Sequence, residues 1–215
     1  PSTLANPTFA YSAPGTYIVT LIAWDNLGRA SRATQTISVV TVPTGGTMTL
    51  SPASPVAAGT ELTVSFANWT DPNPPLSYEV LIDDAVISAR TSSASRNITG
   101  PTTPGLHTLK GRIYNALGDV TEVTRTFTVN TAQESWRQLH FGTTANAGNA
   151  ADDADPNSNG VQNLLEYVLG GNPRAASSGI LPTATVSSGN LVFTFRRIHS
   201  TTTDTTQIFQ YGSNL

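Results

Sequence analysis

Apolar and polar positions alternate with a period of two along much of the first 130 residues, the period of a β-strand. Tyr17, Val19, Leu21 and Ala23 alternate with Ile18, Thr20, Ile22 and Trp24. Most of these are β-branched, aromatic or apolar, which predicts a central strand buried well on one face and partly on the other. Asn26-Leu27-Gly28 predicts a turn, because Gly28 takes a positive φ without steric cost. Thr34 to Val42 is the expected returning strand. Further strands are predicted at Thr47–Leu50, Glu61–Asn68, Ser77–Ile82, Val86–Ala89, Ser95–Ile98, His107–Tyr114 and Val120–Val129. Asp83-Asp84 is the expected hairpin turn between two of them. Seven strands complete an immunoglobulin-like sandwich.

The pattern changes after residue 130. Thr131-Ala132-Gln133-Glu134 has the form of a helix capping box. Trp136, Leu139 and His140 follow at helical spacing, and Gly142 is placed to end that helix. A linker of small residues runs from Thr143 to Ala151. Val161, Leu164, Leu165, Val168 and Leu169 then form one apolar stripe, which predicts a second helix stopped by Gly170-Gly171 and Pro173. Ala184–Ser187, Leu191–Arg197 and Gln207–Tyr211 are expected strands, with Ser188-Gly189-Asn190 as a turn.

Two stretches match without a gap at a constant offset of 90 residues. Pro14-Gly15-Thr16-Tyr17 through Trp24-Asp25-Asn26-Leu27-Gly28 to Thr36–Val39 corresponds to Pro104-Gly105-Leu106-His107 through Tyr114-Asn115-Ala116-Leu117-Gly118 to Thr126–Val129. A period of that size is too long for a solenoid and suits an immunoglobulin-like domain of roughly 100 residues. Phe9-x-Tyr11-x-x-Pro14-Gly15-x-Tyr17-x-Val19-x-Leu21, followed by Trp24-Asp25-Asn26-Leu27-Gly28, resembles the second half of a PKD domain. That resemblance implies an immunoglobulin-like spacer or binding module of secreted bacterial proteins, and no catalysis. The family's front-half Trp-Asp-Phe-Gly-Asp-Gly motif falls before Pro1; in the second copy Phe66–Pro72 stands in its place, so that copy is PKD-like. The expected organisation is the end of one sandwich (1–43), a complete sandwich (44–130), a helix–loop–helix segment (131–175) and the start of a β-rich module (176–215). The chain is therefore expected to be an excerpt of a longer protein.

The candidate chemistry lies in the third segment. Asp155-Pro-Asn157-Ser-Asn159-Gly160-Val161-Gln-Asn163-Leu-Leu-Glu166 fits the calcium-loop template D-x-[DN]-x-[DN]-G-x5-E at every specified position. Ca²⁺ takes roughly six to eight oxygens at about 2.3–2.6 Å, which explains the spacing. Asp155, Asn157 and Asn159 supply alternate side chains, Gly160 the sharp turn, Val161 a carbonyl, Asn163 a direct or water-mediated ligand, and Glu166 both carboxylate oxygens. Asp153 is an additional candidate, and Asp152 beside it adds negative charge that calls for a cation. The alternative is a polar turn before a helix, since Asp, Asn, Ser and Gly are all common turn residues. With only two charged core ligands, the expected affinity is weak, with a Kd of roughly 10⁻⁴–10⁻³ M, which suits a structural ion outside the cell. Trp136-Arg137-x-x-His140-Phe141-Gly142, the loop, and Asn163–Glu166-Tyr167-x-Leu169-Gly170-x-Asn172-Pro173 together resemble half a dockerin or a thrombospondin type 3 calcium repeat.

Composition narrows the function. Charged residues make up 12% of the chain and the net charge is −3, so the clustered Lys and Arg that bind nucleic acid are missing. No Cys is present, which excludes disulfides, thiolate metal sites and a Cys nucleophile. His107, His140 and His199 share no metal-ligand spacing, and no hydrolase elbow, P-loop or dinucleotide fingerprint occurs. Trp69, Tyr78 and Tyr114 are the candidates for a sugar platform, against the alternative of buried sandwich aromatics. The expected fold class is mainly β, and the expected role is a non-catalytic structural or interaction region of a secreted or cell-surface protein. Carbohydrate and other surface proteins are the candidate partners. The alternatives are an accessory region of a secreted hydrolase or a carbohydrate-binding sandwich.

Overall fold

The computed structural model describes residues 2–176 and 178–208 of the chain. The fold is mainly β. The first hairpin consists of β1 (Gly15–Trp24) and β2 (Ala30–Val39). Eight more strands follow: β3 (Thr47–Ser51), β4 (Val56–Ala57), β5 (Glu61–Ala67), β6 (Ser77–Ile82), β7 (Ala85–Thr91), β8 (Ser95–Thr99), β9 (Gly105–Tyr114) and β10 (Val120–Asn130). They form a five-stranded sheet in the order β4-β10-β9-β6-β7 and a three-stranded sheet in the order β3-β5-β8. All seven strands expected for this region form. The eighth, β4, has only two residues, which run parallel to Val129 and Asn130 of β10 and leave no periodic signal. Asp83 and Asp84 both take positive φ and make the two-residue turn between β6 and β7.

The chain divides into two compact units. One comprises Pro1–Thr49, Val64–Arg96 and Lys110–Thr124; the other comprises Leu50–Thr63, Asn97–Leu109 and Arg125–Leu215. In the first unit, β1 and β2 pair in continuous antiparallel register from Gly15↔Val39 to Trp24↔Ala30. The returning strand therefore spans Ala30–Val39 rather than Thr34–Val42, because β1 begins at Gly15 and offers no partner beyond Val39. The expectation of a buried central strand is corrected more sharply. Ile18, Leu21 and Trp24 are 70%, 71% and 68% exposed, on opposite faces of the hairpin. The pair forms its own two-stranded sheet, and burial needs a second layer that the described residues do not provide.

The rest of this unit is packed. Phe66 of β5 stacks on Tyr78 of β6 at 4.9 Å between ring centroids. Gly111 lets the backbone of β9 approach closely: a Cβ there would lie 2.5 Å from Phe66 Cε1 and 2.7 Å from Met48 Sδ. In the second unit, Leu62, Leu109, Phe127 and Val129 are fully buried. His107 stacks on Phe127 at 5.7 Å and its Nε2 pairs with the Thr103 carbonyl at 2.9 Å, so this histidine serves the core.

The two repeats close with the same turn, bond for bond. In the first, Asp25 Oδ1 accepts from the amides of Leu27 (2.9 Å) and Arg29 (2.8 Å). In the second, Asn115 Oδ1 accepts from those of Leu117 (3.0 Å) and Asp119 (2.9 Å). Their surroundings differ. Asp25 is solvated and pairs with Arg29 at 2.6 Å. Asn115 is fully buried, and its Nδ2 donates to the Thr41 carbonyl (3.0 Å) and to Asp71 Oδ1 (3.3 Å). That amide ties the 40–44 connection to the β5–β6 loop, and the Thr44–Thr70 bridge adds two backbone bonds there. Truncating Asn115 leaves several buried polar groups unpaired. Asn115→Ala is expected to cost roughly 2–4 kcal/mol in urea unfolding at unchanged m-value, while Asp25→Ala leaves the sandwich transition in place.

Candidate metal centre

The helices that frame the loop form as their end signals require. Helix α1 (Ala132–Phe141) starts at a complete capping box: Thr131 Oγ1 accepts from the Glu134 amide (3.0 Å), and Glu134 Oε2 accepts from the Thr131 amide (2.8 Å). Gly142 ends it in the left-handed conformation. Leu139 is 78% exposed, and the buried residue is Arg137. Arg137 is held there by Asp152, whose Oδ1 accepts from its guanidinium at 2.7 Å. Asp152 also accepts from Gln133 Nε2 (2.8 Å) and Asn146 Nδ2 (3.0 Å). Its charge is thus answered by Arg137, which corrects the expectation that Asp152 calls for a metal ion.

Helix α2 (Asn163–Leu169) is shorter than its apolar stripe implied. Val161 and Leu169 are buried and pack with Ile180. Leu164 and Leu165 face outward, along a groove of about 1010 Å³ shared with Leu191, Phe193 and Ile208. The inward face carries Asn163, Glu166 and Tyr167 instead. Tyr167 donates to the Asp204 carboxylate, and burial together with that carboxylate raises its pKa. Asp204 Oδ2 also accepts from the Gln133 amide in the first turn of α1. No sequence signal pointed to Asp204, because it lies in a Thr-rich run without periodicity. Beyond α2, β11 (Thr183–Ser187) and β12 (Asn190–Thr194) pair around Ser188-Gly189; β12 takes in Asn190, expected in the turn, and ends at Thr194 rather than Arg197. The expected strand Gln207–Tyr211 does not begin at Gln207, and residues 209–211 lie outside the described residues.

The loop wraps itself through successive side-chain-to-backbone bonds. Asp155 Oδ1 and Asn157 Oδ1 converge on the Asn159 amide, at 3.2 and 3.1 Å. Asp155 Oδ2 accepts from the Gly160 amide (2.8 Å), and Asn159 Oδ1 from that of Val161 (2.8 Å). Gly160 adopts a φ of 84°. Glu166, fully buried, joins this cluster: its Oε1 accepts from Asn159 Nδ2 at 3.0 Å and lies 3.5 Å from Asn157 Nδ2. Glu166 Oε2 is buried with no hydrogen-bond partner. Among the described residues, no basic side chain forms an ion pair with it. Asn163 is anchored by its Nδ2 to the carbonyls of Asn149 and Ala151, while its Oδ1 is likewise buried and unpartnered. Asp153 is exposed.

Asp155, Asn157, Asn159 and Glu166 are therefore brought together, Asn163 opens the first turn of α2, and Asp153 is exposed just before the loop. Among the described residues, no three His, Cys, Asp or Glu side chains cluster as a metal site. The loop's donors are two carboxylates plus amide and carbonyl oxygens, a hard, oxygen-only set of the kind Ca²⁺ prefers. The aromatic candidates are engaged elsewhere. Trp69 packs over Gly46 and donates to the Thr47 carbonyl at 3.1 Å, Tyr78 stacks on Phe66, and Tyr114 lies under the Arg90 guanidinium.

The REJ domain family matches residues 4–165, from before the first hairpin to within α2. No curated protein matches the chain. Among solved structures, a carbohydrate-binding module of the β-sandwich superfamily matches at 20% identity with a TM-score of 0.36, over 43% of this chain and 36% of that one. The fibronectin(III)-like modules of Clostridium thermocellum CbhA match at 23% identity and a TM-score of 0.33, over 40% of this chain and 94% of that one. Domains d3-d4 of the rat CD45 extracellular region match at 12% identity and a TM-score of 0.29, over 58% and 73%.

The buried carboxylate also dictates a neighbour. A Cβ on Gly171 would lie 1.5 Å from Glu166 Oε2 and 2.5 Å from Ile180 Cδ1. Gly171→Ala is expected to cost roughly 1–3 kcal/mol by overpacking, read as a lower unfolding midpoint. Gly179→Ala, with open space around the added methyl, is the control and shifts it little.

Proposed function

The chain belongs to the REJ domain family of β-rich extracellular domains, and on that premise we propose that it is a non-catalytic structural and interaction module braced by one calcium ion. The PKD-like sandwich serves as a spacer or adhesive unit of a secreted or cell-surface protein. Asp155, Asn157, Asn159, the Val161 carbonyl, Asn163 and Glu166 hold the ion, and Asp153 adds negative charge at its edge. Bound Ca²⁺ supplies positive charge to a buried carboxylate and fastens the loop to the first turn of α2.

The observation that carries this reading is the state of Glu166. A fully buried carboxylate with one orphan oxygen is strongly unfavourable unless it is protonated or paired. The orphan Oδ1 of Asn163 belongs to the same template, three residues earlier. In the proposed site one hard cation takes both oxygens as ligands. The polar-turn alternative accounts for the Asp155–Gly160 bonds but leaves these two buried oxygens without a role.

A calcium titration of the intact chain followed by amide NMR tests the reading. Saturable shifts centred on Asn159, Gly160 and Val161 are expected, with a Kd of roughly 10⁻⁴–10⁻³ M. Glu166→Gln and Asp155→Asn should each weaken binding by at least about tenfold. Identical titrations for wild type and both variants would refute the assignment.

A further inference from the structure

Asn159-Gly160 is the only Asn-Gly step among the 215 residues. Asparagine is a thermolabile residue, and next to glycine its side-chain amide is open to attack by the glycine's backbone nitrogen, which no Cβ shields. Gly160 is exposed, with a φ of 84° and open space where a Cβ would stand. Three contacts prepare the reacting atoms. The Gly160 N–H donates to Asp155 Oδ2 at 2.8 Å, so a carboxylate already holds the proton that the nucleophile must lose. Asn159 Oδ1 accepts from the Val161 amide at 2.8 Å, so the carbonyl that must take up negative charge is polarised. Asn159 Nδ2, the leaving nitrogen, donates to Glu166 Oε1 at 3.0 Å.

We propose that Asn159 is a site of self-deamidation with Asp155 as its base. Gly160 N attacks Asn159 Cγ and the N–Cγ bond forms. The N–H proton passes to Asp155 Oδ2, and the Val161 amide holds the oxyanion. The Cγ–Nδ2 bond then breaks, Nδ2 takes up the proton and leaves as ammonia, and a cyclic succinimide remains. Water opens that ring at Cγ to give aspartate, or at the Asn159 main-chain carbonyl to give isoaspartate. One water enters, one ammonia leaves, and nothing is oxidised. The reaction needs no metal ion, so it stands apart from the calcium assignment.

The neighbouring Asn157 lacks this arrangement. The Ser158 N–H donates to the Asp155 main-chain carbonyl at 3.2 Å rather than to a carboxylate. Asn157 Nδ2 is held by the carbonyls of Asn172 (3.2 Å) and Ala175 (2.8 Å). Asn115 and Asn163 are buried, and the residues after them, Ala116 and Leu164, carry a Cβ. Conversion at Asn159 removes the amide nearest to Glu166 Oε1 and sets a second carboxylate against a buried one, where like charges repel. The loop is thereby loosened from α2 as the chain ages.

Peptide mapping by mass spectrometry tests the proposal on the intact chain, aged at neutral pH in EDTA and in water labelled with heavy oxygen. Asn159 is expected to convert at least about tenfold faster than any other Asn, with the label in both the aspartate and the isoaspartate product. Asp155→Asn keeps the shape of the side chain and loses the base. It should slow conversion at least about tenfold in the folded chain and leave it unchanged in concentrated urea, where the contact to Gly160 is gone. Conversion of Asn159 no faster than that of Asn157 would overturn the proposal. So would an Asp155→Asn rate equal to or above wild type in the folded chain, or an equal slowing in urea, because the contact would then play no part.

Discussion

A single buried carboxylate organises the C-terminal third of this chain. Glu166 sits at zero exposure in the middle of a seven-residue helix, where an unpaired charge is expensive. Everything around it is arranged to tolerate that charge. Asn159 donates to one of its oxygens, and Gly171 gives up its side chain so that the other can fit. Asp155 and Asn157 are wound inward by bonds to the loop's own amides. The helix is too short to hold by propensity alone, so it rests on the packing of Leu169 with Val161 and Ile180 and on the bond from Tyr167 to Asp204.

The rest of the segment is fixed by a separate ion pair. Arg137 and Asp152 join α1 to the stretch before the loop, and Asp204 joins the N-terminus of α1 to Tyr167 of α2. Both arrangements satisfy buried polar groups within the protein. The contrast is informative, because Asp152 has its cation in Arg137 and Glu166 has none among the described residues. A further contrast runs through the sandwich repeats. One turn geometry serves a solvated Asp25 in the first copy and a buried Asn115 in the second. The side chain's second function decides what the turn is attached to.

Much of this was legible in the sequence. Strand alternation placed β3 and β5–β10 to within a few residues, because sandwich strands with one buried face print a period of two. The capping box at Thr131 and the Gly142 stop were read correctly, since end signals are local chemistry. The calcium template placed Asp155, Asn157, Asn159 and Glu166 together, as their mutual bonds show. What failed was burial. The apolar pattern of β1 and the outer leucines of α2 promised interior positions, but a periodic pattern records only that a face is apolar and not what covers it. Asp204 and the Asp152–Arg137 pair were invisible for a related reason. They are contacts between segments distant in sequence, made by residues that fit no spacing rule.

The proposed role of the loop requires that calcium complete Glu166. Thermal unfolding of the intact chain in 10 mM CaCl₂ against EDTA measures this directly, because an ion that binds only the folded state stabilises it by mass action. With a Kd of roughly 10⁻⁴–10⁻³ M, the predicted gain is about 1.4–2.7 kcal/mol, seen as a higher midpoint that Glu166→Gln eliminates. A midpoint indifferent to calcium, or the same rise in Glu166→Gln as in wild type, would contradict it.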